Sequence, residues 1–414
     1  MIALALLWQP ALAAEDNDAL WRRVDRVLKR TPLIDGHNDT PWQFRSRAES
    51  NVTALPFGEG TAALDPPMHT DLPRLRTGKA GGVFWSVWVP TTLSGPEALL
   101  TTLEQIDLVH RMTAQWPDDL QLALTADDVE RIHRRGRIAS LIGMEGGHSI
   151  SDSLGALRMT YAAGARYMTL THWQNTAWAD AATDAPEHDG LTDFGVAVVR
   201  EMNWLGMLVD LSHVSPQTMR DALSVSEAPV IFSHSGAAGI NPHPRNVPDE
   251  MLDMTKANGG VVMVDFLPAY VSAEVHAHQG ERDAVQARLE VMNLGNPDAV
   301  EAGMARWKEG NPAPRTTLAH VADHVDHIRD RIGAAHIGIG SDFDGMGDQP
   351  DGLDDAAQVP ALLVELLRRG YTDDEIAGIA GGNVLRVLRA AETAAARLQS
   401  ERPASAARLP PATP

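Results

Sequence analysis

The chain has 414 residues, enough for two domains or for one barrel of roughly 250 residues with insertions. Its hydrophobic fraction of 44% supports a large core, and a formal net charge of −20 disfavours nucleic acid and anionic membranes as partners. The absence of cysteine excludes a disulfide framework, a thiolate metal site and a lipoprotein anchor.

The first residues predict a segment that directs export. Residues 1–14 contain a short apolar stretch followed by Ala11-Leu12-Ala13, a small-x-small pattern typical of a signal-peptidase site. No Lys or Arg precedes Arg22, so the positively charged start of a signal peptide is missing. We expect a periplasmic or secreted protein, or a cytoplasmic one if this segment is not a signal peptide. No other run is long enough to span a bilayer, so we expect no membrane anchor.

Eight short apolar runs predict β-strands. They lie at residues 33–36, 82–89, 138–144, 166–171, 207–211, 230–233, 260–266 and 336–340. Helix-like segments separate most of them, for example residues 193–205, 215–225 and 248–257. Strands that alternate with helices predict a (β/α)8 barrel of the TIM type, and we assign it to residues 15–398 as a single domain.

An insertion and a tail depart from this alternation. Residues 268–315 separate the last two predicted strands and are predicted to be helical, either closing over the site or packing on the flank of the barrel. Residues 355–369 and 372–398 predict terminal helices. Residues 399–414 are rich in Pro, Ala and Arg and predict a disordered tail.

Side chains that bind metal ions stand at the ends of the predicted strands. His37 and Asp39 follow the first strand at a two-residue spacing, which aims both at one face. Glu145, His213 and His234 each follow a later strand. Because the C-terminal strand ends of such a barrel form the active site, we expect these five side chains to converge. Imidazole and carboxylate ligands favour zinc, and one carboxylate can bridge two ions, so the pattern predicts a hydrolytic two-zinc site.

A second group of histidines fits a structural role better. His320, His324 and His327 have helical spacing and could be taken for a metal-binding face. However, the same segment carries an apolar stripe that includes Val321 and Val325. We therefore expect these histidines to flank the core-facing side of a helix.

Seven short motifs occur in order along the chain. They are Gly36-His37-Asn38-Asp39, Glu145-Gly146-Gly147, Thr171-His172 with Asn175, Ser212-His213, Ser233-His234-Ser235, Arg245-Asn246-Val247-Pro248-Asp249 and Gly340-Ser341-Asp342-Phe343-Asp344-Gly345. Together they resemble the membrane dipeptidase (renal dipeptidase) family, metallopeptidase family M19, over about residues 31–387. Mammalian members carry cysteines and a lipid-anchor signal that this chain lacks, so it resembles a soluble, exported member of bacterial type.

The resemblance implies roles for the matching metal-type residues. His37 and Asp39 resemble the ligands of one zinc, and His213 and His234 resemble those of a second. Glu145 resembles the carboxylate that bridges both ions. The resemblance also implies a metal-dependent barrel, commonly a homodimer, that hydrolyses dipeptides and tolerates D-residues at the C-terminal position.

Three further residues match functional positions of the family. His172 resembles its substrate-contacting histidine, Arg245 the arginine that receives the C-terminal carboxylate, and Asp342 the carboxylate beside the bridging water. Two zincs that share Glu145 would acidify a bridging water and supply hydroxide near neutral pH. His172 would help to stabilise the oxyanion and Asp342 would carry the proton to the amine, so the expected catalytic set is Asp342, His172 and Glu145. Asp344, in the same turn, is expected to cap backbone amides.

Two other functions remain open. One is a different binuclear amidohydrolase, acting on another small amide or lactam, although many of those use a His-x-His pair and a carboxylated lysine, and no lysine follows a ligand-bearing strand here. The other is a non-catalytic zinc-dependent binding protein, against which His172 and Asp342 argue. Trp42, Trp173 and Trp178 lie near the predicted ligands and either line a pocket or fill the core.

Overall fold

The computed structural model describes residues 16–410. The predicted signal peptide, residues 1–14, lies outside the described residues, as do residues 411–414. Within the described part of the chain, every helix is too short or too polar to cross a membrane.

Parallel strands form the centre of the fold. They are β1 (Leu33–Asn38), β2 (Ala80–Ser86), β3 (Leu120–Leu122), β4 (Ile138–Glu145), β5 (Ala165–Thr169), β6 (Leu208–Asp210), β7 (Ile231–Phe232), β8 (Val261–Val264) and β9 (Ile337–Ile339). Eight of them form a ring that closes where β2 pairs with β4, and β3 pairs with the first residues of β4 as an extra strand. The predicted (β/α)8 barrel is confirmed, and each predicted strand overlaps a strand of the ring.

Buried side chains explain why these short runs form strands. All residues of β4 are buried, as expected for a strand covered by helices on one face and by the barrel interior on the other. Phe84, Tyr167 and Met263 come from different sides of the ring and belong to one apolar cluster, so they fill the interior. A side chain at Gly143 would collide with the ring of Tyr167, so glycine leaves the space through which that ring crosses the barrel.

Helices surround the strands. They are α1 (Asn17–Leu28), α2 (Thr40–Ala48), α3 (Leu72–Thr77), α4 (Gly95–Gln115), α5 (Ala126–Arg134), α6 (Leu154–Ala162), α7 (Asp193–Leu205), α8 (Pro216–Val225), α9 (Asp249–Asn258), α10 (Pro268–Val271), α11 (Ala273–Met292), α12 (Pro297–Gly310), α13 (Leu318–Ile332), α14 (Val359–Arg368), α15 (Asp373–Ala377) and α16 (Asn383–Glu401). Local sequence sets their ends. Thr192 caps the first turn of α7, and Gly206, with a φ of 82°, ends that helix. Thr372 and Glu375 form a capping box at α15.

The predicted insertion before the last strand is helical, as expected, and consists of α10, α11 and α12. Asn241 and Asn246 hold α10 beside the barrel, since their side-chain amides donate to the carbonyl oxygen of Tyr270. By contrast, α11 has no buried residue. The start of the insertion therefore borders the barrel mouth, whereas its longest helix is exposed to solvent.

The histidines of α13 have structural partners, in agreement with the sequence analysis. His320 completes the cap at Thr317, and His327 pairs with Asp249 at 2.7 Å. His324 is fully buried and accepts a hydrogen bond from the backbone of Ala237.

The C-terminal segment differs from the expected disordered tail. Helix α16 continues to Glu401. Beyond it, the carbonyl oxygen of Arg402 accepts from Trp204, and the amide of Ser405 donates to Glu201. Hydrogen bonds to α7 thus order residues that a low-complexity composition assigned to the tail.

Candidate active site

Strand ends of the barrel bring together the five side chains predicted as metal ligands. His37 lies in β1 and Asp39 follows it, while Glu145 ends β4. His213 and His234 follow β6 and β7. All five are buried, so the parallel strands deliver charged and polar groups to one site at the mouth of the ring.

The carboxylate of Glu145 lies at the centre of this cluster. Its Oε1 atom is 3.1 Å from His213 Nε2 and 3.4 Å from His234 Nε2. Its Oε2 atom is 3.4 Å from His37 Nε2, which is also 3.3 Å from Asp39 Oδ2. Two groups of three potential ligands therefore share Glu145, and the ligand atoms within each group lie within 4.8 Å of one another.

Buried nitrogen atoms indicate that cations fit this cluster. His37 Nε2, which faces both Glu145 and Asp39, has no hydrogen-bond partner within the described chain. Nε2 of His213 and Nε2 of His234 face each other at 3.0 Å. Burial holds the pKa of both of these histidines well below the ordinary value, so both rings stay neutral and keep a lone pair that a metal ion can accept.

Hydrogen bonds behind the ligands orient the imidazole rings. Tyr167 Oη lies 2.8 Å from His37 Nδ1, and Ser233 Oγ lies 2.8 Å from His234 Nδ1. Ser233 also contacts Asp210, to which it donates at 2.7 Å. Such partners hold the tautomer and direction of metal-binding histidines. Tyr167, in the middle of β5, and Asp210, at the end of β6, were not predicted from the sequence.

Asp342 faces the cluster from the end of β9. Its Oδ1 atom is 4.0 Å from His37 Nε2. The left-handed backbone at this residue, with a φ of 60°, turns the chain so that its amide donates to the carbonyl oxygen of His37. Burial, together with the nearby carboxylates of Asp265 and Asp39, raises the pKa of Asp342 well above its usual value. A bound cation would lower it again.

His172 presents a hydrogen-bond donor to the same centre. The indole N–H of Trp88 donates to His172 Nδ1 at 3.3 Å, which leaves Nε2 as the protonated nitrogen of a neutral ring. Burial lowers the pKa of His172 to about 4, so the ring stays neutral near pH 7. Nε2 lies 3.6 Å from Glu145 Oε1.

Arg245 supplies a buried positive charge in the loop after β7. It is 1% exposed, its Nη2 donates to the carbonyl oxygen of His234 at 3.0 Å, and its guanidinium carbon lies 5.2 Å from the ring centre of Tyr270. Its Nε atom has no partner within the described residues. The guanidinium thus retains capacity to bind an anionic group.

These residues surround a cavity of about 290 Å³. Its apolar walls are formed by Trp42, Trp88, Trp173, Leu267 and Tyr270. Trp178, the third tryptophan singled out from the sequence, is fully buried in the core instead. Asp344 also borders the cavity, but its carboxylate accepts from the backbone amide of His69, in line with the expected capping role.

Asp265 is a further charged residue that the sequence analysis missed. It follows β8 in the way that the other acidic residues follow their strands, a signal that could have identified it. Oδ1 accepts from the amide of Leu267 at 2.6 Å, whereas Oδ2 has no partner in the described chain. Burial raises the pKa of Asp265 to about 6.

The barrel and the buried imidazole and carboxylate cluster are features of metal-dependent hydrolases. The sequence pattern of the membrane dipeptidase family (peptidase family M19) matches residues 21–402. The chain is 41% identical over 385 residues to dipeptidase verJ from Clonostachys rogersoniana, covering 90% of this chain and 88% of that protein.

Solved structures share the fold. The TM-score is 0.77 against the probable dipeptidase PvdM from Pseudomonas aeruginosa, at 23% identity over 91% of this chain and 99% of that one. It is 0.71 against a metallo peptidase from Rhodobacter sphaeroides bound to a phosphinate mimic of the dipeptide L-Ala-D-Ala, at 24% identity over 87% of this chain and 99% of that one. The chain belongs to the membrane dipeptidase family, peptidase family M19. The family resemblance is confirmed, and membership implies metallopeptidase chemistry on small peptides.

Proposed function

We propose that the protein is a binuclear zinc dipeptidase that cleaves free dipeptides and tolerates a D-residue at the C-terminal position. The observation that carries the proposal is the pair of three-ligand groups that share Glu145. His37 and Asp39 would hold one ion, His213 and His234 the other, and Glu145 both. Imidazole nitrogen and carboxylate oxygen are the donors that zinc takes in catalytic sites. Bound ions would supply Lewis acidity, which polarises an amide carbonyl and acidifies a water molecule.

Arg245 would bind the free C-terminal carboxylate of the substrate. A guanidinium forms paired hydrogen bonds with a carboxylate, and its burial strengthens the attraction because water is excluded. The cavity of about 290 Å³ is of a size that suits a small substrate. Recognition of the terminus beside the reacting centre would restrict the enzyme to very short peptides.

His172 and Asp342 would act on the reacting atoms. The Nε2–H group of His172 would donate to the carbonyl oxygen as it gains negative charge. The carboxylate of Asp342 would take the proton that the attacking water loses and transfer it to the amine nitrogen as the carbon–nitrogen bond breaks. Asp342 suits this exchange because burial favours its protonated form, whereas an adjacent cation favours the ionised one.

The proposed tolerance of D-residues draws support from a relative. The Rhodobacter sphaeroides enzyme binds a phosphinate mimic of L-Ala-D-Ala, a dipeptide with a D-residue at its C-terminus. We therefore propose that dipeptides with a D-residue at the C-terminal position are substrates of this protein.

A dipeptide panel tests the proposal. Enzyme stripped with a chelator and then restored with zinc should hydrolyse both L-Ala-L-Ala and L-Ala-D-Ala, and the stripped form should hydrolyse neither. Zinc analysis of the restored enzyme should give two ions per chain. Hydrolysis of lactams or cyclic amides without any dipeptide cleavage would favour the amidohydrolase alternative, and specific zinc-dependent binding without turnover would favour the binding protein.

We also propose that the enzyme is an exported homodimer, in keeping with its family and its N-terminal sequence. Light scattering would give about twice the chain mass of 44.7 kDa for a dimer. Cell fractionation would distinguish a periplasmic or secreted protein from a cytoplasmic one.

A further inference from the structure

Trp173 combines two properties that a structural tryptophan rarely has. It lines the cavity beside the ligand cluster, and 43% of its surface is exposed. Single exposed apolar side chains on an outer surface are common and need no explanation. This ring lies inside a concave site, where a bound molecule can cover it.

The Trp173 ring packs against two histidine rings, those of His172 and His213, whose centres are themselves 4.3 Å apart. The centre of the Trp173 ring lies 4.8 Å from that of His172 and 5.2 Å from that of His213, with interplanar angles of 70° and 86°. These edge-to-face arrangements are favourable for aromatic rings. Edge-to-face contacts with two residues of the reacting centre therefore fix the orientation of the Trp173 ring.

Hydrogen bonds also fix the backbone that carries this ring. Thr183 Oγ1 donates to the carbonyl oxygen of Trp173 at 2.9 Å. Two residues further on, the amide of Asn175 donates to Asp184 and its side chain donates to the carbonyl oxygen of Ala185. A loop tied down in this way presents a preformed wall, so little ordering is needed when a substrate binds.

The order of strands around the ring indicates which part of a dipeptide meets this wall. Trp173 follows β5, His213 follows β6, and Arg245 lies in the loop after β7. The other two tryptophans of the cavity, Trp42 and Trp88, follow β1 and β2 and pack together with ring centres 4.5 Å apart, and Trp88 also contacts His172. A dipeptide with its carboxylate on Arg245 and its amide bond at the ligand cluster places its C-terminal residue over β6, beside Trp173.

We propose that Trp173 is a specificity-determining residue, which receives the side chain of the C-terminal residue and favours large apolar side chains, aromatic ones most. The inference rests on the proposed dipeptidase function. Covering the exposed indole removes apolar surface from water on both partners, and a second aromatic ring adds edge or stacking contacts. A C-terminal glycine offers neither contribution.

Kinetics of Trp173→Ala and Trp173→Phe on a substrate series test this inference. The series is L-Ala-Gly, L-Ala-L-Leu, L-Ala-L-Phe and L-Phe-Gly. In Trp173→Ala, kcat/KM for L-Ala-L-Phe should fall by about tenfold or more, chiefly through KM, with a much smaller fall for L-Ala-Gly and L-Phe-Gly. Trp173→Phe should recover most of the preference because it restores an aromatic wall. Trp21→Ala, which removes a tryptophan of similar exposure (37%) on α1, should behave like the parent.

Other outcomes overturn the inference in distinguishable ways. An equal fall across all four substrates, with loss of bound zinc, would mean that the ring only supports His172 and His213. If kcat/KM of Trp173→Ala instead falls most for L-Phe-Gly, Trp173 contacts the N-terminal side chain of the substrate and not the C-terminal one. If the zinc-restored parent hydrolyses no dipeptide at all, the proposed function fails and this inference fails with it.

Discussion

Individual acidic side chains in the site are buried with few compensating charges. Asp39, Glu145 and Asp342 line the cavity, and these three residues and the nearby Asp265 are all less than 10% exposed. Among the described residues that line the cavity, Arg245 is the one permanent cation. Burying like charges together is costly unless they are paired or bind cations. The residue composition of the site is therefore that of a metal centre rather than of a core salt-bridge network.

Replacement of Asp342 by Asn tests its role as the proton carrier. Asn keeps the shape of the side chain but cannot accept the proton, so kcat should fall by roughly two to four orders of magnitude. KM should change less, because the interaction is used mainly in the transition state. Steady-state kinetics and zinc analysis check this. Loss of zinc would instead make Asp342 a ligand, and a near-normal kcat would move the proton transfer to another group, with His172 the first to test.

Replacement of Arg245 tests recognition of the substrate carboxylate. Arg245→Ala should weaken hydrolysis of free dipeptides while affecting C-terminally amidated analogues much less, because only the former carry the negative charge. Arg245→Lys keeps the charge but not the paired hydrogen bonds, so its kcat/KM for free dipeptides should lie between that of the parent and that of Arg245→Ala. Comparison of kcat/KM for each pair of substrates is the measurement. Equal losses for free and amidated substrates would remove Arg245 from this role.

At the scale of elements, α13 is linked to the mouth of the barrel by one buried histidine. His324 Nδ1 accepts from the amide of Ala237 in the loop after β7, and Nε2 faces the carbonyl oxygen of Val271 at the end of α10. Both bonds require a neutral ring with its proton on Nε2. Burial accordingly lowers the pKa of His324 to about 4.

This histidine should make the stability of the metal-free protein depend on pH. The folded-state pKa of about 4 lies below the unfolded value of roughly 6.5, so the contribution is fully present above pH 6.5 and is lost as the pH falls toward 4. The loss amounts to roughly 3 kcal/mol by pH 4. In His324→Asn, which retains an acceptor but does not titrate, the free energy of unfolding should fall less between pH 7 and pH 4. Denaturant titrations with chelator present check this, and an unchanged pH dependence would contradict it.

At the scale of the whole molecule, the proposed metal centre joins distant parts of the ring. Its ligands come from β1, β4 and the loops after β6 and β7, so bound ions would cross-link the mouth of the barrel. A ligand that binds only the folded state raises the free energy of unfolding by mass action. Metal content and global stability should therefore change together.

Zinc removal and Glu145→Ala should show this coupling. Chelation should lower the Tm of the parent, and added zinc should restore it. Glu145→Ala should lose both ions and all measurable turnover, and its Tm should respond little to zinc, because one carboxylate contributes to both sites. Glu250→Ala, which removes an exposed glutamate from α9, serves as the control. Full two-metal loading of Glu145→Ala would exclude the bridging role.

Local patterns in the sequence were sufficient to predict the strands, their alternation with helices and the protein family. Short buried runs such as 138–144 carry their own signal, because a strand covered on both faces must be apolar throughout. The positions of His37, Glu145, His213 and His234 after such runs predicted convergence, because parallel strands of a barrel end on the same side.

Only the tertiary structure decided which side chains share a space. Closing the ring brings Tyr167 across the barrel to His37 and exposes Trp173 in the cavity while Trp178 is buried. It also leaves one oxygen of Asp265 without a hydrogen-bond partner among residues 16–410. The same closure places the guanidinium of Arg245 against the ring of Tyr270, and it allows the amide of Ser405 to donate a hydrogen bond to Glu201 of α7. These contacts join residues that are far apart in the chain, so no local period encodes them. They follow from how strands and loops close around one mouth, and that closure determines the chemistry of the site.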